Sequence, residues 1–372
     1  MRTIGYIIQK EFIQIIRDKT MLPIIIIMPF VQLIVLVYAA TFEMKQIDMV
    51  VVDQDQSAFS RKLTSKFEGS PFFTLTSFTF SMKEAERILT SDEADVIIHF
   101  PKGFEKDLMT GQKGKVQLLI NAINATSAGL TNAYAGYVIA DFNQNILAEN
   151  MNYIQPVFAT NINIDYSFWY NPELNYKIYM LPGILVILIT IIGAFLAALN
   201  IVREKEMGTI EQINVTPIKK YQFITGKLVP FWIIALLELA LGLTIGKLVF
   251  NIPFVGSLPL LFGFAGVYLL VALGLGLFVS TIANTQQQVM FIIFFFLLTF
   301  IMMSGIFTPV ESMPDWAIIV NYLNPFAYFM RVIRMVILKG SGFSDISKEL
   351  YNLLVYASII ISLAVWRYRK TA

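Results

Sequence analysis

The sequence predicts a polytopic α-helical membrane protein with six transmembrane helices and an α/β extracytoplasmic domain inserted after the first helix. The chain of 372 residues is 56% hydrophobic and only 15% charged, and its mean hydropathy is +0.65. That composition is too apolar for a soluble domain, and a helix needs roughly 20 apolar residues to span a bilayer. Six runs approach that length: Leu22–Thr41, Tyr179–Val202, Leu228–Phe250, Leu258–Ile282, Val289–Phe307 and Leu350–Trp366.

The N-terminus predicts an amphipathic interfacial helix over residues 1–21 and a first transmembrane helix over residues 22–42. Ile4, Ile8 and Ile15 recur at helical spacing, and the segment also carries four basic residues, Arg2, Lys10, Arg17 and Lys19. A cytosolic helix with a solvated face is the alternative, but direct fusion to the apolar run favours contact with membrane lipid. The run is too long, and its flank too acidic, for a cleaved signal peptide, so we expect it to be retained.

Residues 43–175 are polar and differ in kind from the rest of the chain. Short apolar strands alternate with helical stretches, which is typical of an α/β domain. The predicted strands are Asp48–Val52, Phe72–Phe80, Asp95–Phe100 and Val116–Asn121, and the predicted helices are Ser60–Phe67, Met82–Thr90, Phe104–Met109 and Thr131–Asn150. The basic N-terminus and one span precede this domain, so we expect it outside the cytoplasm.

Residues 176–372 predict a five-helix transmembrane region with a cytoplasmic loop at 203–227 and an outer re-entrant segment at 308–349. Lys and Arg concentrate in the N-terminal segment, in the 203–227 loop and in the C-terminal tail. This bias places both termini in the cytoplasm of a multi-pass protein, which we expect in the bacterial cytoplasmic (inner) membrane. Within the outer segment, Asn324-Pro325 predicts a helix start, with an N-cap followed by Pro.

Several chemistries are excluded or disfavoured. The chain has no cysteine and one histidine, His99, which argues against thiol chemistry and a His-based metal site. A P-loop is missing at Gly226-Lys227, because Tyr221 and Leu228 occupy positions that the motif reserves for Gly and Ser/Thr. No HExxH or GxSxG motif is present, so an intramembrane hydrolase is a weak alternative. We therefore expect a non-catalytic chain with no cofactor and no nucleic-acid partner.

The most specific feature is the segment REKEMGTIEQINVTP, residues 203–217. It combines alternating charges, a glycine break and a Thr209 signal for a short capped helix, with Gln212 three residues on. Charges and a capped helix between two spans suit a lever that transmits motion. An ordinary charged loop that anchors topology explains the residues alone equally well.

This segment resembles the signature of the permeases of type-2 ATP-binding-cassette (ABC) exporters, R-E-K-E-x-G-T-x-E-Q-x-x-V-T-P. The motifs Asn171-Pro172-Glu173-Leu174, Met180-Leu181-Pro182-Gly183 and Leu323-Asn324-Pro325-Phe326 extend the resemblance over most of the chain. The resemblance implies an exporter for a hydrophobic or amphiphilic substrate, such as a drug or a lipid-like molecule, energised by a separate cytosolic ABC ATPase that binds the ATP. The coupling residues it implies are Arg203, Glu204, Lys205, Glu206, Gly208, Thr209, Glu211, Gln212, Thr216 and Pro217.

The same resemblance implies a dimer, either a homodimer or a heterodimer with a paralogous permease. A periplasmic adaptor and an outer-membrane channel are candidate further partners. A polytopic receptor or ion channel whose ectodomain senses a ligand is the alternative function.

Three charged residues are candidates for a transport path. Glu238 lies near the middle of the third span, where a charge costs roughly 2.5–3.5 kcal/mol and should face protein or water. A transport role and a protonated carboxyl group bonded to a neighbouring helix are equally compatible with it. Arg331 and Arg334 share a helix face, and snorkelling to lipid phosphate competes with binding of an anionic substrate.

Overall fold

A computed structural model describes residues 2–19, 21–39, 46–110, 114–150, 170–171, 175–214 and 216–368. The chain divides into two compact units, which we call the helical unit (Met1–Thr41 with Ser167–Ala372) and the middle unit (Phe42–Tyr166). Parts of several predicted features lie outside the described residues: the end of the first span, Pro172-Glu173-Leu174, Val215 and the C-terminal tail from Arg369.

The polytopic helical fold class is confirmed. Within the described ranges, six helices are long and apolar enough to cross a membrane, judged by length and composition. They are Met21–Ala39, Tyr176–Glu206, Lys220–Leu248, Leu258–Ile282, Gln286–Met303 and Phe343–Arg367. The short sheet lies in the middle of the chain, between the first and second of these helices.

Two helices open the helical unit. Helix α1 (Arg2–Arg17) is followed by α2 (Met21–Ala39). The carboxylate of Asp18 accepts the Met21 N–H at 3.1 Å, so the residue after α1 helps to start α2. Ile15 of α1 is buried while Ile16 is exposed, as an amphipathic helix requires.

The middle unit is a four-stranded sheet in the order β2-β1-β3-β4, with helices on both faces. The elements in chain order are β1 (Ile47–Asp53), α3 (Ala58–Glu68), β2 (Phe73–Thr79), α4 (Met82–Thr90), β3 (Val96–Phe100), α5 (Phe104–Met109), β4 (Gln117–Ile120) and α6 (Ala125–Asn150). Strand β1 is parallel to β2 and β3, and β4 runs antiparallel to β3. Met49 and Val51 face α3 and α6, while Val50 and Val52 face α4, which explains the continuous apolar run in β1.

Asp53, the last residue of β1, and Asp55 organise the adjoining turns. Asp53 accepts the N–H groups of Asp55 and Gln56 at 3.0 and 2.8 Å. The Asp55 carboxylate accepts the first N–H groups of α5, from Gly103, Phe104 and Glu105, at 2.7–3.1 Å. Partial burial alone would raise the pKa of Asp55, but the hydrogen bonds from Ser57 and these N–H groups lower it.

Asp55→Ala is expected to destabilise the contact between β1 and α5 by about 1–3 kcal/mol, because three amide groups lose a charged acceptor. Hydrogen exchange on the full-length protein should show faster exchange at Gly103, Phe104 and Glu105. Since the pKa is lowered by folding, the wild-type stabilisation is present above about pH 4 and is lost as the pH falls through the folded-state pKa. Unchanged exchange at these amides would contradict the assignment.

Nine further α-helices of the helical unit lie within the described residues. They are α7 (Tyr176–Thr190), α8 (Ala197–Glu206), α9 (Thr209–Asn214), α10 (Lys220–Leu248), α11 (Leu258–Ile282), α12 (Gln286–Met303), α13 (Asp315–Asn321), α14 (Pro325–Lys339) and α15 (Phe343–Arg367). A π-helical turn, Ile191–Leu196, joins α7 to α8. Helices α7 and α11 form much of the core, and α15 packs along α11. A Cβ at Gly276 would lie 2.4 Å from the Ala194 carbonyl oxygen, so glycine permits the approach of α11 to the π turn.

The predicted outer segment, 308–349, contains one expected helix start and one unexpected one. Helix α14 begins at Asn324-Pro325 as expected, with the Asn324 side chain accepting the Phe326 N–H. However, α15 begins at Phe343, so the helix that contains the predicted last span, Leu350–Trp366, starts inside the segment predicted to extend to residue 349. The left-handed Gly340 (φ 71°) ends α14, and the Asp345 carboxylate accepts the Gly342 N–H. The polar residues after Phe343 therefore form the first turns of a helix, although their polarity is typical of a loop.

Candidate functional site

Four consecutive residues at the end of α8 bind four different parts of the helical unit. Arg203 pairs with Asp18, between α1 and α2, at 3.0 Å. Glu204 accepts from Lys10 of α1. The Lys205 ammonium donates to carbonyl oxygens at the end of α11, and the Glu206 carboxylate accepts the Gln286 N–H at the start of α12. We call Arg203–Glu206 the hub, because motion of this one turn acts on α1, α11 and α12 together.

A buried ion-pair cluster lies beneath the hub. The Lys227 Nζ atom is 2.8 Å from Glu11 Oε1 and 2.7 Å from Glu204 Oε1, and it donates to Asn200 Oδ1 at 2.9 Å. Lys227 is 1% exposed, Glu11 0% and Glu204 3%. Buried charges of this kind require partners, and here one ammonium group serves two carboxylates. The cluster therefore ties α1, α8 and α10 together in the interior.

Lys10 lies between this cluster and the solvent. Its Nζ atom is 2.7 Å from Glu204 Oε1 and 3.2 Å from Glu11 Oε1, while half of its side chain is exposed. Partial desolvation would lower the pKa of Lys10, but the Glu204 and Glu11 carboxylates outweigh this effect and raise it. Lys10 consequently supplies a second positive charge at neutral pH, and the two acids face two ammonium groups.

The close approach of α1 to α10 depends on a glycine. A Cβ at Gly226 would lie 2.5 Å from Ile7 Cγ2, so any larger residue would push the two helices apart. Gly226 immediately precedes Lys227, and the same contact that seats α1 on α10 brings Glu11 to Lys227. The Gly226-Lys227 pair, which fails as a nucleotide motif, instead builds a helix contact.

A left-handed turn separates the hub from the short helix α9. Gly208 has φ 71°, and nothing lies within 4 Å of a Cβ built there. Thr209 is the first residue of α9, and its hydroxyl donates to the Glu204 carbonyl at 3.1 Å instead of capping the helix. Ile210 packs on the cluster formed by Ile201 and Phe223, which anchors α9 to the helices behind it.

Not all of the coupling residues predicted between Arg203 and Pro217 lie on the exposed surface of this segment. Glu204 is buried, so its charge acts within the chain, whereas Gln212 and Pro217 are exposed and Thr216 is partly exposed. The Glu211 side chain lies outside the described parts. Sequence reasoning missed the exposed apolar side chains of Met207 and Tyr221, which are 53% and 56% exposed.

The structure does not bring the three transport-path candidates into one polar site. Glu238 is 7% exposed and faces an apolar cavity, and neither of its carboxylate oxygens has a hydrogen-bond partner among the residues described. The Arg334 guanidinium lies 3.8 Å from the centre of the Tyr179 ring and donates to the Gly305 carbonyl. Arg331 is mostly exposed and lies 3.5 Å from Glu349.

Comparison with known proteins gives a consistent result over most of the chain. The family model described as ABC-2 family transporter protein matches residues 19–366. The probable multidrug ABC transporter permease YbhR of Escherichia coli (strain K12) is 29% identical over 364 residues, which cover 98% of this chain and 97% of the relative. From the same organism, the probable multidrug ABC transporter permease YbhS is 25% identical over 336 residues (89% and 87% covered). The inner membrane transport permease YhhJ is 24% identical over 365 residues (97% and 96% covered).

Proposed function

The chain belongs to the family of ABC-2 transporter proteins, and from that premise we propose that a separate ATPase drives it through the surface of residues 203–217. The protein is the permease subunit of an ABC exporter, a transport subunit that associates with an ATPase subunit. The receptor or channel interpretation finds no support in these relatives. We further propose that ATP binds only to the partner and that this chain has no catalytic activity or cofactor of its own.

The hub carries the coupling proposal. The exposed side chains of Met207, Gln212 and Tyr221 offer a mixed apolar and polar surface, and such mixed surfaces suit a protein contact. Helix α9 lies one turn from Arg203–Glu206, whose side chains bind α1, α11 and α12. A displacement of α9 by a bound ATPase would therefore reach several helices through direct contacts.

The substrate we propose is hydrophobic or amphiphilic, a drug or lipid-like molecule moved out of the cytoplasm or the inner membrane. Two of the relatives carry the word multidrug in their names. The helical unit also contains an apolar cavity of 320 Å³ between α2, α7 and α10, within the range of small-molecule sites.

We also propose that the permease works as a dimer, as a homodimer or with a paralogous permease, with α12 at the interface. Phe291, Phe294 and Phe295 of α12 are 69%, 62% and 63% exposed, so this aromatic face is open to a second subunit. A single cysteine at Phe294, introduced into this cysteine-free chain, should form a crosslink between subunits. Crosslinking at Leu363 of α15 but not at Phe294 would contradict this interface.

For the orientation, we propose cytoplasmic termini and an extracytoplasmic middle unit. A cysteine at Ser91 should react with an impermeant reagent in intact cells, and a cysteine at Lys219 should react only after permeabilisation; both positions are exposed. External labelling of Lys219→Cys would refute this orientation.

The decisive experiment is copurification of the chain with a candidate ABC ATPase from the same organism, followed by reconstitution. We expect ATP-dependent transport of an amphiphilic dye and stimulation of the ATPase by the permease. A partner that binds but supports no transport with any amphiphile in a panel would contradict the proposed substrate class. Failure to bind any ATPase would contradict the coupling proposal.

A further inference from the structure

A cavity between the first and third spans has one ionisable residue in its wall. Its volume is 320 Å³, and Glu238 is its sole ionisable lining residue among those described. The apolar walls come from three helices: Ile26, Phe30 and Leu33 of α2, Leu185 of α7, and Leu241 and Ile245 of α10. Such a cavity combines space for an apolar body with a single polar handle.

The Glu238 carboxyl group lacks the partners that a buried acid normally has. More than nine-tenths of the residue is buried, and neither oxygen has a hydrogen-bond partner among the described residues. A buried ionised group without compensation costs several kcal/mol, and buried acids are found paired for that reason. The other polar residue of the wall, Thr244, donates its hydroxyl to the Ala240 carbonyl. None of the described residues of the cavity wall therefore forms a hydrogen bond with the Glu238 carboxyl group.

The basic residues of the surrounding helices are engaged elsewhere. Among the lysines of α10, Lys227 belongs to the ion-pair cluster, Lys220 donates to the Tyr368 carbonyl, and Lys247 lies over the Phe254 ring. Lys177 of α7 lies over the Tyr38 ring, and α2 contains no charged residue. The described residues thus supply no positive charge to Glu238, which leaves that role to a ligand.

We propose that this cavity binds an organic cation with an apolar body, and that Glu238 pairs with its positive charge. The proposal rests on the transport function proposed above and specifies a class of substrate for it. The aromatic ring of Phe30 offers the same cation a second favourable contact. Ile26, Phe30 and Leu241 are each about half exposed on the outer surface of the helices, so a ligand dissolved in the membrane reaches the cavity from the side.

Two ligands of similar size separate charge from hydrophobicity. Methyltriphenylphosphonium is a permanent cation, and triphenylphosphine oxide is its neutral counterpart. Binding of each is measured on the purified permease in lipid nanodiscs without ATPase, with empty nanodiscs subtracted. The wild type is expected to bind the cation at least about tenfold more tightly than the neutral ligand. Equal affinities would overturn the proposal.

Two matched variants test whether the preference for the cation over the neutral ligand depends on Glu238. Glu238→Gln keeps the shape and removes the charge, so the preference for the cation should disappear while binding of the neutral ligand is unchanged. Glu93→Gln, an exposed acid of the middle unit, is the control and should bind as wild type. Retention of the cation preference in Glu238→Gln would place the site elsewhere and overturn the proposal.

A second variant tests the cavity if Glu238→Gln cannot be produced. Leu241→Phe fills part of the cavity without altering charge, and it should weaken both ligands severalfold. Unchanged binding of both would overturn the location. These binding measurements need no ATPase, so they test the site separately from the proposed function. If the wild-type permease does not bind the cation but the complex shows ATP-dependent transport, only this site is refuted. If the permease binds the cation but the complex does not transport, only the proposed function is refuted.

Discussion

Lys227→Met is expected to destabilise the helical unit by about 3–5 kcal/mol, because it leaves two buried carboxylates short of their shared partner. Lys227 contacts both Glu11 and Glu204 within 2.8 Å, and all three side chains are almost fully buried. Methionine has a similar length and no charge, so packing changes little and the loss is electrostatic. The measurement is the free energy of unfolding in mild detergent, together with the yield of monodisperse protein.

Three controls make this result specific. Lys219→Met removes an exposed lysine eight positions earlier and should be neutral. Lys10→Met should cost only about 0–1 kcal/mol, because half of that side chain is in solvent. Glu11→Gln combined with Lys227→Met should recover part of the loss, since Glu204 keeps Lys10 as a partner. Equal stability of Lys227→Met and wild type would show that the buried cluster does not support the fold.

Gly208→Pro is expected to abolish ATP-driven transport while leaving the spans inserted. Proline fixes φ near −65°, whereas Gly208 has φ 71°, so the turn between the hub and α9 cannot form. The turn projects away from the core, and no atom lies within 4 Å of a Cβ at this position. The loss should therefore come from the backbone angle, from the missing hydrogen bond that the Gly208 N–H donates to the Lys205 carbonyl, and from the displaced α9. ATP-dependent transport is compared with ATPase binding in the reconstituted complex.

The matched substitution is Gly208→Asn. Asparagine tolerates positive φ better than other non-glycine residues, so this variant should keep most of the transport activity. Gly208→Ala should lie between the two, at a cost of about 1–2 kcal/mol for the left-handed angle. If Gly208→Pro transports at the wild-type rate, the 203–217 segment only anchors topology, and the coupling proposal fails.

The sequence predicts most of the secondary structure because apolar length and periodicity are local properties. The four strands and four helices of the middle unit appear at their predicted places, although α6 begins at Ala125 and not at Thr131. The Asn324-Pro325 signal marks the start of α14, because a cap and a proline act on the first turn alone. The start of α15 was missed because its first turns are polar, and polarity does not distinguish a loop from an exposed helix end.

The interior of the site was harder to predict than its position. The sequence of Arg203–Glu206 does not show whether its charged side chains contact water, a partner or other residues of the chain. In the structure they contact α1, α11 and α12. One signal for the cluster was available. Glu11 falls on the stripe of Ile4, Ile8 and Ile15, where an acid on the apolar face needs a buried counter-charge. Lys227, at the edge of an apolar run, was the residue to pair with it.

The ion-pair cluster also sets an order for assembly during synthesis. Glu11 is translated early, but its counter-ion Lys227 follows roughly 200 residues later, which at about 5–20 residues per second is a delay of some 10–40 s. Throughout that interval, α1 has no buried place in which its acid is neutralised, so it remains in contact with water or lipid headgroups. Final docking of α1 therefore waits until α10 has emerged from the ribosome, so the N-terminal helix, although made first, cannot take its native position before the third span is made.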